Sequence, residues 1–592
     1  MAAAGGDAPA GYVLGLDLGT TSVKAVLLEA GPHPEPPMPA ASASQATGAD
    51  VVPSGGAGPE GREQDVCRIL GALNKCLGAL PAWQLRRVRC IGVAGQMHGV
   101  MFWNCSHACT WAERGPHSVF EPQHVSHLVT WQDGRCTSGF LASLPRPESH
   151  LSVATGFGCA TIYWLSRHSP EFLVPFSAAG TIQDYVVAML CGLQRPLMSE
   201  HNAASWGYFN TERRSWNARV LEESGFPTHL LPDVAEAGAI AGTTTHEWFG
   251  VPQGTKVGVA LGDLQCSVFS CMSRSTDAVL NVSTSVQLAA SMPPGFKPAE
   301  LPEPSAPVAY FPYFGRTYLG VAASLNGGNV LATFVTMLAQ WMADLGADVA
   351  ESLIYSQMIQ AALVQKDTQL TISPTLLGER HLPDALASVG GISPSALSLG
   401  HVSRALCRGV VRNVHAMLPS QRLKEWGVQR LVGSGSALAR NEVLRQEVER
   451  AFPLPVSYGQ DVDAAAGAAL VMLRESAGGS QLARPAAPLL PVVRDGIPDL
   501  RIRLSPKGAP DGLAVVVGER ETPSSASTAS VKGPPGQPGR SLGAPLFSNS
   551  LAGEERLDTA VTVSSVILSF TFRFGKVPEG AAAGCGTLRG LT

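Results

Sequence analysis

Two apolar runs, Val13-Leu-Gly-Leu16 and Ala25-Val-Leu-Leu28, bracket the polar tip Asp17-Leu-Gly19-Thr20-Thr21-Ser22-Val-Lys24 and predict strand, tight turn, strand. A second unit of the same pattern runs Val279-Leu-Asn281-Val-Ser283-Thr284-Ser285-Val-Gln-Leu288, again with hydroxyls between apolar arms. Together they read as a faint internal repeat, two similar halves facing each other. Val66, Ile69, Leu70, Leu73, Leu77 and Leu80 keep helical spacing and predict a helix over about Glu63 to Leu80. Val88 to Val93 is a short apolar strand that runs into Gly95-Gln96-Met97-His98-Gly99. From about residue 120 to 475, strands and helices alternate, ending in an Ala- and Gly-rich helix over Asp461 to Leu473 suited to close packing.

The pattern fails in two places. Gly31 to Gly61 is rich in Pro, Ala, Ser and Gly and is expected to be an exposed loop or disordered insert. Ser476 to about Ala552 has the same bias and is expected to be disordered. Thr559 to Phe574 alternates like a strand but has no visible partner. The expected organisation is therefore a first domain over 1–272, a second over 273–475 and an atypical tail over 476–592.

Bulk properties narrow the classes. A chain of 592 residues has room for two or more cores, and 45% hydrophobic with 15% charged residues describes a soluble globular protein. A net charge of −4 gives no nucleic-acid footprint. No run reaches the roughly 18 apolar residues of a membrane span, and Met1 to Ala10 lacks a secretory pattern. The twelve cysteines are scattered with no C-x-x-C pair, which suits reduced thiols and a cytoplasmic protein.

The candidate chemistry lies at strand ends and turns. The Asp17 turn offers hydroxyls and backbone N–H groups to phosphate, and its carboxylate can hold a divalent metal through water. The Gly95–Gly99 loop leaves the carboxyl end of a strand, where α/β folds bind ligands. Trp131-Gln-Asp133-Gly-Arg135 sets an aromatic, an acid and a base within five residues, a combination that stacks on sugar rings and binds hydroxyls, or else forms an internal ion pair. Asp263 ends the apolar strand Val257–Leu261 and is placed as a general base or as a helix cap. Leu325-Asn326-Gly327-Gly328-Asn329 opens a helix and lets a nucleotide approach the backbone. Val432-Gly433-Ser434-Gly435-Ser436-Ala437-Leu438 resembles a dinucleotide fingerprint, but Leu438 stands at the third small position, so adenosine packing fits it better.

In this order, from Val13 to about Leu473, the segments resemble the FGGY family of carbohydrate kinases. Gly95-Gln96-Met97-His98-Gly99 and Trp131-Gln-Asp133-Gly-Arg135 are similar to the ketose kinase branch; the Arg-Glu pair of the glycerol kinases is absent. Val125–Trp131, Leu151–Thr161 and Asn202–Phe209 resemble one member of that branch over longer stretches. The resemblance implies an α/β fold of two actin-like, ribonuclease-H-like domains flanking a cleft, with ATP mainly against the second and the sugar mainly in the first. It implies transfer of the γ-phosphoryl group of ATP to a primary hydroxyl of a ketose, in pentose phosphate metabolism, with Mg²⁺.

By the same resemblance Asp263 is the catalytic base and Asp17 the metal-side carboxylate. Gln96, Met97, His98, Trp131 and Asp133 hold the sugar. Thr20, Thr21, Lys24 and Thr284 contact the phosphates, while Gly327, Gly328, Gly433, Gly435 and Asn441 line the adenosine. The family often has Gly-Thr where this chain has Ser283-Thr284, which keeps the hydroxyl but tightens one backbone approach. The expected partner is a small-molecule ketose, with no nucleic acid and no membrane. The alternatives are a D-xylulose or D-ribulose kinase and, in another class, a non-catalytic actin-like ATP-binding scaffold, which needs neither the Trp131 cluster nor Asp263.

Overall fold

The first strand, Gly11–Leu18, is buried along its whole length and forms the middle of a seven-stranded sheet. Alternation divides its side chains between two layers. Leu14, Leu16 and Leu18 join a core with Ile69, Leu70 and Leu73 of the helix Val66–Ala79. Each such side chain contributes about 1.5–3 kcal/mol when fully buried. Val13 faces the other way, into a core with Ala465, Ala468 and Ala469. By the same alternation Asp17 belongs to that second face.

The structure, a computed structural model, describes residues 11–30, 39–53, 58, 60–115, 117–303, 305–382, 384–459 and 462–476. The expected tail over 476–592, with its strand-like segment, lies outside the described residues apart from Ser476, which ends the last helix.

The first strand pairs antiparallel with Ser22–Ala30 and parallel with Val88–Gly95. Lys256–Gly258 and Leu261–Gly262 extend the sheet beyond Val88–Gly95. The second sheet repeats the plan. Asp277–Val282 pairs antiparallel with Val286–Ser291 and parallel with Arg430–Ser434, with Val456–Tyr458 beyond and Thr317–Ser324 on the hairpin side. Two sheets of one topology, each centred on a polar-tipped hairpin, give the internal repeat its structural form.

Part of the insert expected to lack structure is ordered. Ala41–Ala46 pairs antiparallel with Ser22–Leu27 at the edge of the first sheet. Its Ala-Ser-Ala-Ser-Gln-Ala run alternates with period two, but small residues carry little hydrophobic signal and β-branched residues are missing. Edge pairing supplies what propensity does not. Residues 31–38, 54–57 and 59 of that segment lie outside the described residues.

The last helix, Ala464–Ser476, follows the second sheet in the chain but packs on the first. Small residues make this possible. A Cβ on Gly15 would lie 2.0 Å from the Ala465 carbonyl oxygen, and one on Gly92 2.3 Å from that of Ala468. With the helix Asp263–Cys271 it forms a shared apolar layer that also takes in Val279, Tyr313, Phe314 and Val432 of the second half.

Candidate active site

Strand register brings the first acids together. Asp17 pairs across the hairpin with Lys24 and beside Ala94 in the parallel neighbour. Gly262 pairs with Gly95, so Asp263 begins its helix next to the same strand end. Asp17 is buried, and its Oδ1 has no hydrogen-bond partner. Burial first, then the charges of Asp263 and Asp463, raise its carboxyl well above the ordinary range, against the opposing pull of Lys24. Asp263 accepts a hydrogen bond of 2.7 Å from the Leu264 N–H, yet burial pushes its carboxyl up to about 7. The Asp263 of the structure is thus a far stronger base than an exposed aspartate near 3.9.

Lys24, expected on the phosphates, is paired with Asp463 at 2.5 Å. Asp463 also caps the last helix by accepting from the Ala466 N–H at 3.0 Å. Sequence reasoning missed Asp463, although an acid just before an Ala-rich helix is a recognisable capping signal.

Thr20 sits in a polar knot. Its hydroxyl donates to Gln96 Oε1 at 3.3 Å and accepts from the Trp131 indole N–H at 2.9 Å. Gln96 donates in turn to Gln64 Oε1 at 3.1 Å, and Gln64 donates to the Thr20 carbonyl at 2.9 Å. Thr20, Gln96 and Trp131 therefore lie together, while Thr21 is exposed at the tip. Gln64 is a further member of this group that the pattern did not mark.

Asp133 is fully buried, and its oxygens accept from Arg135 and from the Arg62 N–H. Arg135 also donates to Glu63 at 2.7 Å. Of the two readings of this cluster, the geometry is that of an internal ion pair, which orients the loop carrying Trp131. Met97 is buried beside Gly262, whose Cβ would come within 2.8 Å of the Met97 sulfur.

His98 has a left-handed backbone, with φ of 71°. Such a non-glycine conformation costs about 1–3 kcal/mol and gathers at functional sites. Its ring stacks on Phe157 at 4.4 Å between centroids, and Nδ1–H donates to the Ser205 carbonyl at 2.7 Å. Burial lowers the imidazole to about 4, so it is neutral at neutral pH and presents Nε2 as an acceptor. His98 opens onto a cavity of about 640 Å³ with walls from both halves, among them Ser152, Phe157, Tyr310, Phe311 and Arg380. Of the five expected sugar contacts, His98 alone lines it.

The second turn has a different lining. The Gly328 N–H donates to the Ser283 carbonyl at 2.7 Å and the Asn329 N–H to that of Thr284 at 3.1 Å. A Cβ on Gly328 would lie 2.5 Å from Ser283 O, and one on Gly327 2.6 Å from the Ser285 carbonyl carbon. Gly435 has φ of 102°, and its Cβ would lie 2.3 Å from Val282 O. Thr284, Gly327, Gly328 and Gly435 are thus gathered at one place, with Thr284 exposed. Gly433 packs under Tyr458 and Leu438. Asn441 is a buried helix cap that accepts from the Val443 and Leu444 N–H groups.

Among the described residues no group of three or more His, Cys, Asp or Glu side chains is arranged to hold a metal unaided. No helix among them is long and apolar enough to cross a membrane.

Asp17 and Asp263 thus meet at one strand end of the first half, and a glycine-clad turn is gathered in the second. The chain belongs to the FGGY family of carbohydrate kinases, ATP-dependent sugar kinases: residues 120–270 match the N-terminal domain of that family. It is 71% identical over 462 residues to the sedoheptulokinase of Mus musculus, covering 78% of this chain and 97% of that protein. It is also 71% identical over 463 residues to the sedoheptulokinase of Homo sapiens, with coverage of 78% and 97%. The fold matches the crystal structure of xylulose kinase from Rhodospirillum rubrum with a TM-score of 0.63 at 20% identity, over 80% of this chain and 91% of that one. Glycerol kinase of Plasmodium falciparum, solved with ADP, matches with a TM-score of 0.62 at 15% identity, again over 80% and 91%.

Proposed function

We propose that this chain phosphorylates sedoheptulose at its terminal primary hydroxyl to give sedoheptulose 7-phosphate, using MgATP in the cytoplasm and feeding the pentose phosphate pathway. The observation that carries the reading is the 71% identity to sedoheptulokinases across 97% of their length.

In this mechanism Asp263 accepts the proton of the attacking hydroxyl. A base with a pKa near the working pH combines a useful deprotonated fraction with a real appetite for the proton. The Leu264 N–H holds the carboxylate in place. The neutral His98, its proton kept on Nδ1 by Ser205, accepts a sugar hydroxyl through Nε2. The Thr20–Gln96–Trp131 knot fixes the indole beside the sugar, and the Asp133–Arg135 pair supports that loop. Thr21 and Thr284, exposed on the two turns, donate to phosphate oxygens. Gly327, Gly328, Gly433, Gly435 and Asn441 shape the adenosine side. Closure of the cleft excludes water as a competing acceptor.

Mg²⁺ fits the first turn. Asp17 Oδ1 is buried without a hydrogen-bond partner, and Asp263 and Asp463 add negative charge around it. An oxygen-only lining, with a carboxylate that would hold the ion through water, suits a cation that keeps its waters and shares ATP phosphates. Bound there, the metal would neutralise phosphate charge; Lys24, tied to Asp463, balances the carboxylates.

A coupled ADP-release assay over five- to seven-carbon ketoses tests the reading. Sedoheptulose is expected to give the highest kcat/KM. A preference for D-xylulose or D-ribulose would replace the substrate, and ketose-independent ADP release would point to a scaffold ATPase.

A further inference from the structure

The 640 Å³ cavity has mainly apolar walls, and Arg380 is the only Lys or Arg side chain among its lining residues. Arg380 also lines a smaller cavity of about 130 Å³ together with Leu264, whose N–H holds the Asp263 carboxylate. It therefore stands in the second half of the molecule between the cavity that His98 lines and the one lined by Leu264, the residue after Asp263.

The backbone around it is pinned. Glu379 Oε1 accepts from Ser324 Oγ at 2.6 Å, Asn413 Nδ2 at 2.6 Å and Asn326 Nδ2 at 2.9 Å. Oε2 accepts from the Leu325 N–H at 3.1 Å. This clamp anchors Arg380 to the foot of the Gly327–Gly328 loop, so the guanidinium is held by the same platform that meets the second turn. Burial draws the guanidinium down to about 10, which leaves it a cation at neutral pH. Its charge is one of the causes that lower the His98 imidazole, so the two groups act on one electrostatic space.

We propose that Arg380 is a ketose-contacting residue supplied by the second half, donating to the sugar hydroxyls opposite His98. The inference rests on the reading above that a ketose is the acceptor. A guanidinium offers five donors in a rigid fork, and donors of this kind count for more beside apolar walls than in water. A polyol that touches both His98 and Arg380 joins the two halves of the cleft, so the same contact links sugar binding to closure.

The test compares the wild type with Arg380→Gln and Arg380→Lys. Initial rates are measured against sedoheptulose and MgATP, and thermal shifts with sedoheptulose alone and MgADP alone. Arg380→Gln is expected to raise the ketose KM about 10- to 100-fold, the loss for hydrogen bonds from a charged donor. The sedoheptulose-induced rise in Tm should vanish, while the MgADP-induced rise and the KM for ATP stay within about twofold. Arg380→Lys should fall between, because it keeps the charge and loses the fork. An unchanged ketose KM, or an equal rise in both KM values, overturns the assignment. If Arg380→Gln does not fold, the two KM values of Arg380→Lys decide in the same way. A wild type that turns over no ketose, yet shows a sedoheptulose thermal response that Arg380→Gln lacks, keeps Arg380 and removes the proposed reaction. A wild type with neither turnover nor response overturns both.

Discussion

The two polar turns share a backbone plan and have opposite surroundings. The first, Asp17 to Lys24, is enclosed by Asp263, Asp463 and the Gln96–Gln64 pair, and its carboxyl titrates far from the ordinary range. The second, Asn281 to Ser285, is enclosed by Gly327, Gly328 and Gly435, whose missing side chains let backbone meet backbone. One half of the repeat concentrates charge and proton affinity; the other removes bulk. A duplicated hairpin can thus serve two tasks through its neighbours alone.

Replacing the base should break the charged half most severely. Asp263→Asn is expected to lower kcat by about 10²–10⁴-fold with the Kd for MgADP unchanged in calorimetry. Near wild-type turnover would remove Asp263 from its role. Asp17→Asn should cost about 10²-fold in kcat while raising Tm by about 2–4 °C. The sign follows from the raised carboxyl: a pKa higher in the folded state than in the unfolded one means that the ionised form destabilises the fold at neutral pH. A neutral amide removes that cost, and a fall in Tm on scanning calorimetry would contradict the assigned burden.

The glycine-clad half should yield less. Gly435→Ala must place a Cβ 2.3 Å from a carbonyl oxygen at φ of 102°. Weaker nucleotide binding by about tenfold is expected, with about 1–3 kcal/mol of lost stability; an unchanged Kd for MgADP would detach this turn from the nucleotide. The mildest probe is pH. Below about 7, kcat/KM should fall tenfold per unit as Asp263 gains a proton, and it should level off above. That limb belongs to the coupled Asp17 and Asp263 carboxyls, so it should shift in Asp17→Asn and be absent in Asp263→Asn.

Local pattern carried much of this. The apolar arms of both hairpins and the Val66–Ala79 helix follow from periodicity, and the acids at strand ends follow from their neighbours in sequence. Contacts across long separations left no such trace. Lys24 meets Asp463, 439 residues away, and nothing near either residue announces it. Arg380 lies in an irregular stretch that no periodicity marks, and Glu379 binds partners more than 30 residues distant on both sides. Asp133 shows the converse: its sequence suggests a sugar contact, but the nearby Arg135 and Arg62 claim its oxygens first. Alanine-serine alternation at Ala41–Ala46 hides a strand because methyl groups barely register as hydrophobic.

The position of the last helix bears on synthesis. Residues 464–476 emerge from the ribosome after both sheets, yet they cover the face of the first that carries Val13, Gly15 and Gly92 and bring Asp463 to Lys24. During translation the opening sheet, complete at Gly262, must wait for this cover through about two hundred further residues, until Ala464. A nascent chain of this design therefore becomes competent in a single late step, and a chain cut before residue 464 would leave a bare apolar surface for chaperones to hold.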